Sequence, residues 1–353
     1  RWDDPQLHDV FWNLGGHDIS EMEAALAKST HNSGPTVIFA YTLKGWKLPI
    51  MGHPQNHSVV LDDQQMKSVQ RDLEIPVGQE WSGFPLDSPE GRLCAEVSAR
   101  LYPTKPASTP PNKLPIPTEL PIAYQGTRST QQTFGAVLSS LSRQCPDLTR
   151  HIVTVSPDVA SSTNLGGWIN KHEVWRLDQP EELPEDATAG ILRWTESPHG
   201  QHIELGISEN NLFLMLGQLG LSQELFGQTL LPIGTLYDPF IRRGLDALFY
   251  SVYSGARFIV VGTPSGVTLA REGGIHQSLM TPSIGAEFPQ LVSYEPCFAQ
   301  ELEWIMLDAL CRLRQRSSCS YLRLTTKQVD QELFPDMSDS HSRERLRRQV
   351  LAG

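Results

Sequence analysis

The most informative carboxylate in this sequence is Glu209, in the run His202-Ile203-Glu204-Leu205-Gly206-Ile207-Ser208-Glu209-Asn210-Asn211. An apolar stretch follows, which places Glu209 at the mouth of a helix just past a strand end. An uncompensated charge is hard to hide there. The carboxylate either complements the helix dipole or serves as a general acid–base, and spacing alone leaves both open. A second group is His276, in Arg271-Glu272-Gly273-Gly274-Ile275-His276-Gln277, which follows the loop Gly262-Thr263-Pro264-Ser265-Gly266. A Gly-rich loop at a strand's carboxyl end that carries a histidine suits an active-site lip, and an ordinary loop histidine would look the same. His53 and His57 flank Pro54-Gln55-Asn56. They read as a metal pair, but no Cys or carboxylate cluster completes the ligand set, so zinc is not expected and no metal ligand is assigned in this chain.

These side chains need elements to hold them. Asp18 and Glu21 suggest a capping box, with Ile19, Met22 and Leu26 at helical spacing behind it. Val37 to Tyr41 reads as a short strand buried on both faces, and the Gly-, Pro- and His-rich stretch from Gly45 to Ser58 leaves its carboxyl end. Seven prolines fall between Pro103 and Pro121, which excludes a helix or a central strand and marks a boundary. Beyond it, Phe134, Val137, Leu138 and Leu141 form one helical face, and Ile152 to Val155 a strand. Helices are expected over Leu212 to Leu219, over Leu245 to Tyr253 and along Leu302, Ile305, Met306, Leu310 and Leu313. Strands are expected at Leu230 to Ile233, Phe258 to Val261 and Tyr321 to Leu324. Such alternation predicts an α/β fold, mostly parallel sheets with helices on both faces.

Bulk properties narrow the function. At 353 residues the chain is too long for one ordinary core. Its formal charge of −11, with no dense Lys/Arg stripe, gives a polyanion nothing to be drawn to, so nucleic acid is not expected as a partner. No apolar run is long enough to cross a bilayer, so no membrane partner is expected either. Cys94, Cys145, Cys297, Cys311 and Cys319 stand far apart without ligand spacing, which fits a reducing compartment: the cytoplasm, or the mitochondrial matrix in a eukaryote. The first residue is Arg1, and the chain is expected to be an excerpt of a longer protein.

The motifs in their order resemble the thiamine-diphosphate-dependent superfamily of transketolases and 2-oxo acid dehydrogenases, over roughly Trp12 to Pro85 and Thr127 to Thr326. The resemblance implies that superfamily's thiamine-diphosphate-binding fold. It implies the end of a diphosphate-binding domain at residues 1–100, a Pro-rich linker at 101–125, a pyrimidine-binding domain at 126–328 and a linker at 329–353 toward a further domain. Glu209 matches the glutamate that touches the cofactor's aminopyrimidine and shares a proton with its ring nitrogen. His276 and Gln277 match a His-Gln pair whose histidine protonates or orients the substrate oxygen, and His57 matches the catalytic histidine of the first domain, with His53 beside it. His17, in Gly16-His17-Asp18, is expected to support the helix start. Asp158 falls where relatives carry an acidic residue near the cofactor, although a turn cap would serve as well. Tyr237 or Phe240 falls where an aromatic ring stacks on the pyrimidine, although plain core packing remains open.

Within the superfamily, the run from His202 to Leu212, Tyr237-Asp238-Pro239-Phe240 and the Gly-Gly-Ile-His-Gln loop look closest to the homodimeric decarboxylating component of 2-oxo acid dehydrogenase complexes. The implied activity is oxidative decarboxylation of a pyruvate-like 2-oxo acid by a homodimer, with a lipoyl-bearing acyltransferase as a further partner. Transketolase is the runner-up, because Arg128 stands where that enzyme reads a sugar phosphate, or else caps the next helix. The chain departs from the pattern at the diphosphate anchor. Relatives hold magnesium and the diphosphate with a Gly-Asp-Gly and a later Asn, and no Gly-Asp-Gly occurs here. A non-catalytic pairing module therefore stays open as a third reading.

Overall fold

The computed structural model describes residues 14–102, 114–177, 194–269 and 272–352. Trp12, Arg271 and residues 103–113 of the proline-rich linker fall outside them. The chain separates into two compact units, Arg1–Thr104 and Lys105–Gly353.

In the first unit, helices α1 (Ile19–Ser29), α2 (Asp63–Asp72) and α3 (Pro89–Leu101) each start at a side-chain cap. Asp18 accepts from the Glu21 amide at 3.1 Å, and Asp62 and Gln65 cap each other reciprocally. These bonds satisfy amides that the first helical turn leaves without partners. Val37 to Tyr41, expected as a buried strand, is not one. Val37, Phe39 and Tyr41 are 75%, 93% and 70% exposed, and among the described residues no strand pairs with them. Apolarity made the run suitable for a parallel sheet, but a strand exists only where neighbours accept its ladder bonds.

The second unit is built on one sheet of the strands β2 (Ile152–Ser156), β3 (Val174–Trp175), β4 (Glu196–Ser197), β5 (His202–Glu204), β6 (Leu231–Leu236), β7 (Ile259–Gly262), β8 (Leu291–Tyr294) and β9 (Cys319–Arg323). Their order across the sheet is β4-β3-β5-β2-β6-β7-β9-β8, with every adjacent pair parallel. A separate antiparallel pair joins β1 (Thr127–Arg128) to β10 (Val329–Asp330). The longer helices are α4 (Thr130–Gln144), α5 (Gly166–His172), α6 (Glu209–Gly220), α7 (Leu245–Tyr253), α8 (Pro282–Glu287), α9 (Ala299–Gln315) and α10 (Ser340–Ala352).

Strand residues alternate between two cores. On one face Ile152, Ile233, Ile259, Val261 and Leu322 meet Phe134, Leu138, Trp168, Ile305 and Leu310 from α4, α5 and α9. On the other, Val155, Leu236, Val260 and Tyr321 meet Leu212, Phe213, Leu216 and Leu248 from α6 and α7. Each such side chain taken fully out of water contributes about 1.5–3 kcal/mol. None of the described helices is long and apolar enough to cross a membrane.

Topology decides where a site can form. From β2 the chain crosses to β3, β4 and β5 on one side, then returns to β6 and β7 on the other. The carboxyl end of β2 therefore lies at a switch point, flanked by the segments leaving β5 and β6, where open α/β sheets bind ligands.

In the tail, residues 340–352 form α10, Val350 and Leu351 pack on the first core, and the Tyr294 hydroxyl donates to the Leu351 carbonyl at 2.9 Å. The segment leading into β1 is also docked on α9. Glu303, 1% exposed, accepts from the Leu120 amide at 3.0 Å and the Tyr124 hydroxyl at 2.7 Å. Burial raises its pKa above the ordinary 4.5, while the bonds from Tyr124 and Leu120 pull the other way. Because the folded value lies above the unfolded one, the folded chain holds this proton more tightly. The contribution is fully present below the unfolded value and is lost as pH rises through the folded one. Urea unfolding across acid to neutral pH should therefore show the wild type losing stability relative to Glu303→Gln, which carries no charge to desolvate. Curves that stay parallel would contradict this.

Candidate active site

Glu209 opens α6, and its side chain is only 9% exposed. The Ser208 side chain makes no cap bond, so the first turn of α6 presents its amides and a carboxylate at the switch point. Arg243 Nη1 reaches Glu209 Oε1 at 3.3 Å, and the same guanidinium lies over the Phe240 ring, 4.0 Å from its centroid. With Arg243 half in solvent, the pair contributes about as much as a surface bridge, up to ~1 kcal/mol.

A ring cluster continues from there. His276 meets Tyr237 edge-on at 5.5 Å and Phe240 at 5.2 Å between centroids, and Tyr237 and Phe240 are 6.2 Å apart. His276 Nδ1 lies 3.0 Å from the Glu272 carbonyl, which can only accept, so Nδ1 carries the hydrogen and Nε2 of the neutral ring is an acceptor. The structure thus brings four of the sequence-chosen residues, Glu209, Tyr237, Phe240 and His276, into one chain of contacts. Arg243 links them. Its sequence signal was its place three residues after Phe240 on a helical turn.

Beneath this cluster lies a buried polar network that sequence reasoning missed. Asp238, fully buried, accepts from Thr281 Oγ1 at 2.6 Å, from Arg323 Nε at 3.3 Å and from the Tyr321 hydroxyl. Burial first, and then the Asp238 charge, push the Tyr321 phenol pKa well up. Gly262 is required at the end of β7, since a Cβ there would lie 2.2 Å from Asp238 Oδ1.

The other candidates are held elsewhere. Asp158 is exposed, with φ of +64°, and its amide rather than its carboxylate makes the bond, to Glu204 Oε1 at 2.6 Å. That tie joins the ends of β2 and β5, and Glu204 Oε2 lies 3.4 Å from His202 Nε2. Arg128 lies in β1 with its guanidinium 5.8 Å from the Tyr124 ring, and the cap of α4 is Ser129. Gln277 is half-buried beside the Gly274 carbonyl, to which its amide donates at 3.2 Å.

In the first unit, Lys44 Nζ lies 2.9 Å from His57 Nδ1, and His53 Nδ1 accepts from the Gln55 amide at 3.1 Å. Each imidazole has its own partner. Among the described residues, no group of three or more His, Cys, Asp or Glu is placed to hold a metal ion. His17 accepts from the Leu43 amide at 2.7 Å and stacks on Trp46 at 4.4 Å, which fixes the approach to α1. Gly16 is forced there, as a Cβ would fall 2.1 Å from the Tyr41 carbonyl oxygen.

In chemical terms, the carboxyl edge offers a nearly buried carboxylate, two aromatic faces and an imidazole. A flat heterocycle with a ring nitrogen could be held by the first two, and the imidazole could serve a neighbouring oxygen.

The family model for the pyruvate dehydrogenase E1 component middle domain matches residues 124–332. Sequence relatives include the pyruvate dehydrogenase E1 component of Cupriavidus necator, 26% identical over 351 residues covering 93% of this chain and 39% of the relative. That of Mycobacterium tuberculosis is 27% identical over 331 residues, covering 86% and 35%. The chain therefore spans under two fifths to about two fifths of the length of these relatives. Among solved structures, the transketolase of Campylobacter jejuni aligns with a TM-score of 0.63 at 16% identity, covering 92% of this chain and 47% of that one, a likeness of fold.

The Gly262 contact yields a test. Gly262→Ala should destabilise the chain by about 1–3 kcal/mol through overpacking against Asp238, read from urea midpoints, and an unchanged midpoint would contradict the contact.

Proposed function

The chain belongs to the family of the pyruvate dehydrogenase E1 component middle domain, and on that premise we propose that the full-length protein oxidatively decarboxylates a pyruvate-like 2-oxo acid using thiamine diphosphate. The single observation that carries the reading is the contact chain from Glu209 through Arg243 and Phe240 to His276 at the switch point.

The residues present fit the aminopyrimidine end of that cofactor. Glu209 supplies a carboxylate almost out of water, and Phe240 and Tyr237 supply ring faces, where offset stacking adds about 0.5–1.5 kcal/mol beyond area. Arg243 now takes both Oε1 of Glu209 and the face of Phe240, so its guanidinium must shift as a ring arrives. The diphosphate and magnesium end is assigned to no residue of this chain. When bound, thiamine diphosphate would supply a nucleophilic thiazolium carbon toward a 2-oxo carbonyl and a ring able to hold the electron pair left by carbon dioxide.

In this reading Glu209 holds a proton at the ring nitrogen, and the His276 ring, when it carries a proton on Nε2 as well as on Nδ1, orients or protonates the substrate oxygen. Asp158 lines the cofactor's approach. Gln277 and Arg128 contact substrate, and His57 is read as a further catalytic group with His53 as a substrate group beside it.

The partner proposed is a second copy of the chain. Leu214 on α6 and Phe249, Tyr250 and Tyr253 on α7 are exposed, and Phe249 and Tyr253 stack at 6.1 Å on the surface. A contiguous apolar patch of this kind favours burial against a partner, and Glu209 opens the same helix. In the complete assembly the acyl group passes to a lipoyl-bearing acyltransferase.

Calorimetric titration of the full-length protein with thiamine diphosphate, with and without magnesium, tests the cofactor. Turnover assays should show loss of carbon dioxide from a 2-oxo acid without any need for a sugar phosphate, and Glu209→Gln should lower that turnover ~10²-fold or more. Two-carbon transfer between sugar phosphates with pyruvate ignored would make the protein a transketolase. No cofactor binding at all would leave a pairing module.

A further inference from the structure

We infer that the buried Asp238–Arg323 pair is a positioning device for catalysis, locking the two loops that carry Tyr237, Phe240 and His276 into one arrangement. The inference rests on the functional reading above and adds residues that touch neither substrate nor cofactor in it.

The geometry is as follows. Asp238 lies between Tyr237 and Phe240 at the start of the turn Asp238–Gly244, so fixing its carboxylate fixes both rings. Arg323, at the end of β9 and 3% exposed, donates from Nη2 to the Ser278 carbonyl at 2.9 Å, two residues beyond His276. Ser278 in turn closes the base of its loop, its amide donating to the Gly266 carbonyl and its hydroxyl accepting from the Gly266 amide, both at 3.0 Å. Thr281 joins the two halves, since its hydroxyl donates to Asp238 Oδ2 at 2.6 Å and accepts from Arg323 Nε at 3.1 Å. Arg323 also pairs with Glu295, which holds the guanidinium from the solvent side.

Stability alone does not call for this arrangement, because apolar side chains of similar volume commonly replace a buried ion pair at no loss. What charged groups add is direction. Each bond here points at one loop, and a misplacement of about 1 Å in reacting groups can cost ~10²-fold in rate. A conserved shape without the charge should therefore fold and turn over slowly.

The test uses full-length protein carrying Asp238→Asn, Thr281→Val or Thr281→Ser, with hydrogen–deuterium exchange over residues 237–244 and 272–281 and steady-state kinetics. Asp238→Asn should speed exchange in both segments while leaving 152–156 unchanged. It should also lower kcat ~10-fold or more, with KM within ~2-fold, the pattern of an interaction felt in the transition state. Thr281→Val should shift both readouts the same way, and Thr281→Ser, which keeps the hydroxyl, should restore them. Unchanged exchange, or unchanged kcat in a folded, active variant, overturns the inference. If Asp238→Asn does not fold, the Thr281 pair decides alone. Faster exchange in both loops of a protein that neither binds thiamine diphosphate nor decarboxylates a 2-oxo acid overturns the functional reading and, with it, the catalytic part of the inference, while the lock between the loops stands.

Discussion

Asp238 and Arg323 are opposite charges held almost without solvent beneath the carboxyl ends of β6, β7 and β9. Taking two ions out of water costs several kcal/mol each, offset only where geometry and further hydrogen bonds are good. Here Thr281, Tyr321, Ser278 and Glu295 provide those bonds, so the loops that carry them have little freedom to move separately. The closeness of Gly262 to Asp238 follows from the same constraint, because the carboxylate occupies the space a side chain on β7 would need.

The ring cluster stands on this base. Tyr237 and Phe240 lie on either side of Asp238, and His276 is packed against both. Glu209 arrives from a different direction, at the first turn of a helix whose inner face, Leu212, Phe213 and Leu216, is fully buried under the sheet. Its position is thus fixed by hydrophobic packing rather than by polar bonds. The two routes meet at Arg243, which touches the carboxylate and the Phe240 ring at once.

Two units divide the chain differently in physical character. The second buries two continuous cores on either face of an eight-stranded parallel sheet. In the first, Phe39, Trp81 and Val77 are 93%, 99% and 89% exposed, and its helices are set mainly by their caps. The family match falls within the second unit, and there the α/β architecture and the site cluster coincide.

Local pattern alone determined most of the second unit's elements. The face formed by Phe134, Val137, Leu138 and Leu141 is fully buried in α4, and the helix read from Leu245 to Tyr253 has those same bounds, because 3.6-residue periodicity records which side faces a core. The position of Glu209 just inside a helix could be read for the same reason. The strand Leu291–Tyr294 was not legible, since it is a four-residue edge strand with half-buried Val292 and Ser293 in its middle. Val37 to Tyr41 misled because apolarity does not report whether a neighbour exists to complete the ladder. Only the tertiary structure could pair Asp238 with Arg323 across 85 positions, or Arg243 with Glu209 across 34. A charge seen in sequence gives no sign of whether folding will leave it in water or bring it a partner, and that choice follows from where the sheet places its strand ends.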